Sequence, residues 1–122
     1  MIKIEKEYGQ LQRFEGATKA EVLKLVAERG NDTDIADEWN GFPSAQNLFD
    51  NLDQLGDKIT YHGYIIDKST GRSDWRVTVE GFNGDNLTAD EALEIMSMYS
   101  SADDIQHSKN ENGTYSVYAW WD

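Results

Sequence analysis

At 122 residues, 39% of them hydrophobic and including four tryptophans, six tyrosines and four phenylalanines, the chain can bury one modest core and is too short for two, so residues 1–122 are expected to form a single domain. It has no cysteine, which excludes disulfides and thiolate metal sites. With 23 acidic against 11 basic residues its formal net charge is −12, so direct partnership with DNA, RNA or an anionic membrane is disfavoured by charge repulsion.

The opening MIKIEKEYGQ lacks an apolar run of signal-peptide length, and no stretch approaches the roughly 18 apolar residues of a membrane span, so a soluble, cytoplasmic protein is expected. Ile2, Ile4, Lys6 and Tyr8 alternate with Lys3, Glu5 and Glu7, and after Gly9-Gln10 a second run covers Leu11 to Glu15. Period two around a glycine-bearing break predicts a strand pair. TKAEVLKLVAER then opens with Thr18 and Glu21 at capping-box spacing, sets Val22, Leu25 and Val26 at helical intervals with Leu23 alongside, and stops at Gly30. A short helical turn is expected between Asp34 and Trp39.

Pro43 suits the first turn of a second helix, in which Ala45, Leu48, Phe49, Leu52 and Leu55 form one stripe ending at Gly56. Lys58–Asp67 and Trp75–Glu80 read as a hairpin across DKSTGRSD, the second strand alternating Trp75, Val77 and Val79 with Arg76, Thr78 and Glu80. LTADEALEIMSMYSSA repeats the cap signal at Thr88 and Glu91 and points Ala92, Leu93, Met96 and Tyr99 inward. A last hairpin joins Ile105–Ser108 to Tyr115–Trp121 across KNENG. The fold class expected is α+β, a mostly antiparallel sheet built from hairpins with two or three helices packed on one face.

Motifs for known chemistry are few. His62 and His107 fit no metal spacing, and each reads first as a packed or surface strand residue. The serines stand in no G-x-S-x-G elbow, and GFNGDN lacks the lysine of a phosphate loop. Asn83-Gly84-Asp85 resembles the middle of a calcium loop, but the first-ligand position falls on Gly81, the obligatory glycine on Asn86 and the twelfth position on Ala92, so a loop followed by a helix cap is the simpler reading. No cofactor or metal is expected.

Charge is the distinctive signal. Asn31 to Asp57 contains seven carboxylates and no lysine or arginine, and between Arg76 and Lys109 the only basic candidate is His107. If the second helix reaches Asp57, then Asp50, Asp53 and Asp57 form a row opposite the Leu48-Leu52-Leu55 stripe, with neighbouring Cβ atoms roughly 5–6 Å apart. Such a row costs a few tenths of a kcal/mol per pair, by order of magnitude, unless a basic surface meets it. A rigid row of carboxylates can occupy a groove built for phosphates, so the expected function is an inhibitor of a nucleic-acid-handling enzyme or complex. That is the DNA-mimic, anti-defence type associated with phages and mobile elements, such as anti-CRISPR or anti-restriction proteins.

The partner-binding residues expected are Asp32, Asp34, Asp37, Glu38, Asp50, Asp53 and Asp57, sharing one surface without basic relief, together with Trp39 and Trp120. The partner would be a basic protein surface, with no direct nucleic acid or membrane, and the sequence leaves oligomeric state open. Alternatives are an immunity protein against a nuclease toxin, an adaptor domain using an aromatic patch near Trp39, Phe42 or Trp120, a carboxylate-based enzyme, and an acidic face that serves only solubility. In YSVYAWWD either one face is core and Tyr118 and Trp120 are anchors, or the strand is covered on both sides.

Overall fold

Residues of alternating polarity form six strands joined into one antiparallel sheet in the computed structural model, which describes residues 2–4, 11–38 and 41–122. The strands are β1 (Lys3–Ile4), β2 (Leu11–Ala17), β3 (Ile59–Ile66), β4 (Arg76–Leu87), β5 (Asp104–Lys109) and β6 (Tyr115–Trp120), in spatial order β1-β2-β3-β4-β6-β5. Three helices, α1 (Lys19–Arg29), α2 (Ala45–Leu52) and α3 (Ala89–Met98), pack on one face, giving the α+β class that the hairpin pattern predicts. The Gly9-Gln10 break between the first two strands lies outside the described residues. No described helix is long and apolar enough to cross a membrane.

One hydrophobic core holds the layers together. Val22 and Leu25 of α1, Leu48, Phe49 and Leu52 of α2, and Ala92 and Ile95 of α3 meet Phe14, Ile65, Val77, Phe82, Val117 and Ala119 of the sheet. Strand side chains alternate between faces, so Arg13, Tyr64, Thr78, Tyr118 and Trp120 project from the side away from the helices. That settles the last strand: Val117, Ala119 and Trp121 are core, and Tyr118 and Trp120 are half-buried on the other face.

Strand β4 runs to Leu87, well past the expected end at Glu80. Gly81, the first of the two glycines that suggest a loop in GFNGDN, serves close strand approach instead, as Gly63 does on β3. A Cβ on Gly81 would lie 2.0 Å from the Ala119 carbonyl oxygen, and one on Gly63 would lie 1.9 Å from that of Thr78. Between them the β3–β4 register shifts, with His62 opposite Gly81 and Gly63 opposite Val79, leaving Glu80 as the extra residue of a bulge. Asn83, Gly84 and Asp85 therefore belong to a strand, and the loop reading of those residues is corrected.

Both capping boxes form. Thr18 and Thr88 accept the N–H of Glu21 and Glu91 through their hydroxyls, and each glutamate accepts the N–H of its threonine. Three expectations at the helices change. Ser44, rather than the first turn at Pro43, caps α2, accepting the Asn47 N–H at 3.1 Å. Leu93 is 66% exposed because the inward stripe of α3 runs through Ala92 and Ile95. Helix α2 ends at Leu52 and tightens into a 3₁₀ segment, Asp53–Lys58, that still packs Leu55 against the core, so Asp53 and Asp57 stand beyond the helix and the expected helical row of Asp50, Asp53 and Asp57 is corrected, because the backbone leaves helical geometry at Gly56. The segment after Asp34 makes a single turn, in which Thr33 accepts the N–H groups of Ala36 and Asp37.

Candidate functional site

With the apolar stripe of α2 turned into the core, Gln46, Asp50 and, just beyond the helix, Asp53 and Gln54 are left facing solvent. The same logic leaves Asp90, Leu93 and Glu94 outward on α3. The two helices lie side by side, joined by Tyr99, whose hydroxyl donates to Asn47 Oδ1 at 3.0 Å and accepts from Asn51 Nδ2 at 3.1 Å. Between them runs a groove of about 250 Å³, with Leu52, Leu55, Ile95 and Met98 along it and Glu91 and Glu94 at its rim.

These carboxylates are not equivalent. Glu91 pairs with Lys58 Nζ at 2.9 Å and is held below the ordinary glutamate pKa, first by the Thr88 N–H and then by that lysine. Asp53 pairs with Lys19 Nζ at 2.8 Å, so the expected absence of basic relief is corrected at this residue. Among the described residues Asp50 accepts only a neutral amide, Gln46 Nε2, at 2.7 Å. Asp50, Asp57, Asp90 and Glu94 are exposed and make no ion pair among the described residues.

Asp34 leaves the surface set altogether. It is 6% exposed, and its Oδ2 accepts the N–H of Asn31 at 2.7 Å and of Val77 at 2.8 Å, tying the loop after α1 to the start of β4. Gly30 makes room for it, since a Cβ there would lie 2.6 Å from that oxygen. A carboxylate that satisfies two backbone donors inside the fold cannot also meet a partner. Asp32 and Glu38 are exposed, and Asp37 is half-buried and accepts the Thr33 hydroxyl at 3.0 Å. Trp39 lies outside the described residues. Among the described residues no three histidine, aspartate or glutamate side chains come together as a metal site.

Trp120 is not part of the α2 surface. It lies across the sheet, beside Tyr118, whose ring stacks on His62 at 5.2 Å and 10° between planes. These rings border a shallow cavity of about 180 Å³ with Arg13 and Asn83. Next to it Arg13 Nη1 donates to Glu80 Oε1 at 2.8 Å. Burial raises the pKa of Glu80 despite that partner, and burial lowers that of His62, whose Nε2 has no hydrogen-bond partner among the described residues.

The expected site residues therefore divide among three places: the α2 surface, the loop after α1, and the free face of the sheet. The groove between α2 and α3 escapes sequence reading because its two walls lie some forty residues apart. The only hint is the glutamate pair at Glu91 and Glu94, on the edge of an apolar stripe. The cluster around His62 is hidden for a similar reason, since β3 and β6 reach it from opposite sides of β4. Compared with protein-family models, with curated proteins and with solved structures, the chain matches none of them.

Proposed function

We propose that this chain acts by binding a basic protein surface, as an inhibitor that occupies the nucleic-acid groove of a nuclease or nucleic-acid-binding complex in the manner of an anti-defence DNA mimic. The observation that carries the reading is the pair of adjacent helices α2 and α3 with Asp50, Asp90 and Glu94 exposed and lacking ion pairs among the described residues. Carboxylates held on a packed helical layer keep their spacing without a local counter-charge. A surface of lysines and arginines would supply that charge on association, with a fast, salt-sensitive on-rate. Asp34 plays no part in this surface, and Asp53 contributes only if Lys19 gives way.

A second reading rests on a separate observation. Tyr118 and Trp120 stand half-exposed on the sheet face that no described helix covers, as anchors of an adaptor would.

The test is capture from cell lysate with the chain as bait, washed at low and high salt and challenged with added DNA or RNA. A nucleic-acid enzyme that is retained at low salt, released at high salt and displaced by nucleic acid is the expected result. The double exchange Asp50→Lys with Glu94→Lys, which reverses one exposed charge on each helix, should abolish its retention while the thermal midpoint stays near wild type. Retention of that partner by the folded double variant removes the α2–α3 face from the reading. A salt-resistant partner lost on Trp120→Ala transfers the function to the sheet face.

A further inference from the structure

We infer that the groove between α2 and α3 receives one apolar side chain from a lysine- or arginine-bearing helix of the partner. This inference rests on the basic-partner reading and adds the form in which the partner presents its charge. At about 250 Å³ the groove falls below the roughly 300–1,000 Å³ of pockets that enclose small-molecule ligands, so it suits an anchoring side chain rather than a free ligand.

Its composition fits that occupant. Leu52 and Ile95 close the floor, and Leu55 and the 41%-exposed Met98 form walls still open to solvent. Methionine is unbranched and adapts to the shape of an incoming apolar group, as it does on other helix-receiving surfaces. The rim is acidic on the α3 side. Glu91 is already neutralised by Lys58, whereas Glu94 makes no ion pair among the described residues. An anchor flanked by cationic residues one helical turn away, at i±3 or i±4, would seat its apolar group between the helices and bring a charge to Glu94. Purely electrostatic mimicry of a phosphate backbone needs no such apolar slot.

The probe is a fluorescein-labelled synthetic helix with leucines on one stripe and lysines elsewhere, compared by fluorescence anisotropy with a twin in which every leucine is glutamine. At low salt the leucine helix should bind about tenfold tighter than the twin, a difference that persists when salt weakens both. Met98→Gln keeps length and charge while making the wall polar. It should weaken the leucine helix about threefold to tenfold and leave the twin unchanged, whereas Glu94→Gln should weaken both. Amide NMR shifts induced by the leucine helix should centre on Asn51, Leu55, Glu94 and Met98.

Equal affinity for the two peptides, or shifts centred on the Tyr118 and Trp120 face, overturns the groove while leaving the basic-partner reading standing. Failure of both peptides to bind the wild-type chain at low salt overturns that reading and the groove with it. The NMR arm decides the matter even if Met98→Gln loses stability.

Discussion

Asp34 and Asp50 carry the same charge and sit in the same lysine-free stretch, yet one is a structural joint and the other a surface group. The difference is a matter of single hydrogen bonds. Both N–H groups that reach Asp34 end on the same oxygen, Oδ2, so an asparagine could accept both through its one carbonyl. Burial outweighs these two bonds and raises the Asp34 pKa above the ordinary 3.8. The folded chain therefore holds this proton more tightly than the unfolded one. Its contribution to stability is complete below pH 3.8 and is lost as the pH rises through the raised folded value. Asp34→Asn should change stability by less than about 1 kcal/mol at neutral pH and flatten this part of the pH profile. Asp34→Ala, which strands two backbone donors, should cost about 2–4 kcal/mol. Denaturant titrations of both variants across the acid range check the pair. Equal losses for the two would show that the ionised carboxylate, rather than its acceptor geometry, holds the loop to β4.

At the scale of elements, the same local device is used twice. Thr18 and Thr88 enter their helices with nearly identical backbone angles, φ −71°, ψ 165° and φ −74°, ψ 164°, and each follows a strand. RFEGATKAEVLKL and RVTVEGFNGDNLTADEALEI both run strand, Glu-Gly and capped helix, and this likeness has a mechanical cause, because a strand that must turn into a helix needs its first N–H groups satisfied. Thr18→Ala and Thr88→Ala should each cost about 1 kcal/mol, and the double variant about the sum, since the two caps share no hydrogen-bond partner among the described residues. Equilibrium unfolding in urea measures all three. A markedly larger loss at Thr18 would show that Glu21, which also accepts the Ile2 N–H at 3.0 Å, anchors the N-terminal segment as well as the cap. Elements also explain the misplaced end of β4. Glycine marks both turns and close approaches, and at Gly81 it is the Ala119 carbonyl of a strand distant in sequence that excludes a side chain.

For the whole molecule the net charge of −12 decides what conditions favour the fold. Eight ion pairs are seen among the described residues, but most involve exposed side chains of the kind that contribute little, so the surplus of carboxylates leaves net self-repulsion. Raising salt from about 0.01 to 0.15 M shortens the screening length from roughly 30 to 8 Å, and the thermal midpoint should rise with it. The exchange Asp50→Lys with Glu94→Lys should reduce that rise by removing repulsion across α2 and α3. Thermal melts of the two proteins at matched salt provide the comparison. A midpoint that falls with salt in the wild-type chain would mean that local pairs such as Lys19–Asp53 and Lys58–Glu91 outweigh the global surplus.

The sequence by itself determined the elements and their class. Period-two runs at residues 59–66 and 115–120 and cap-plus-stripe signals at α1 and α3 are local patterns, and local backbone chemistry is enough to act on them. It also determined that the chain would carry an acidic surplus without local compensation along Asn31–Asp57. Only the tertiary structure decided which carboxylates remain on the surface. Lys19 reaches Asp53 across 34 residues, and the Val77 N–H reaches Asp34 across 43, distances at which sequence spacing carries no signal. The groove is likewise a product of packing, because its walls meet only once α2 and α3 settle side by side on the same face of the sheet.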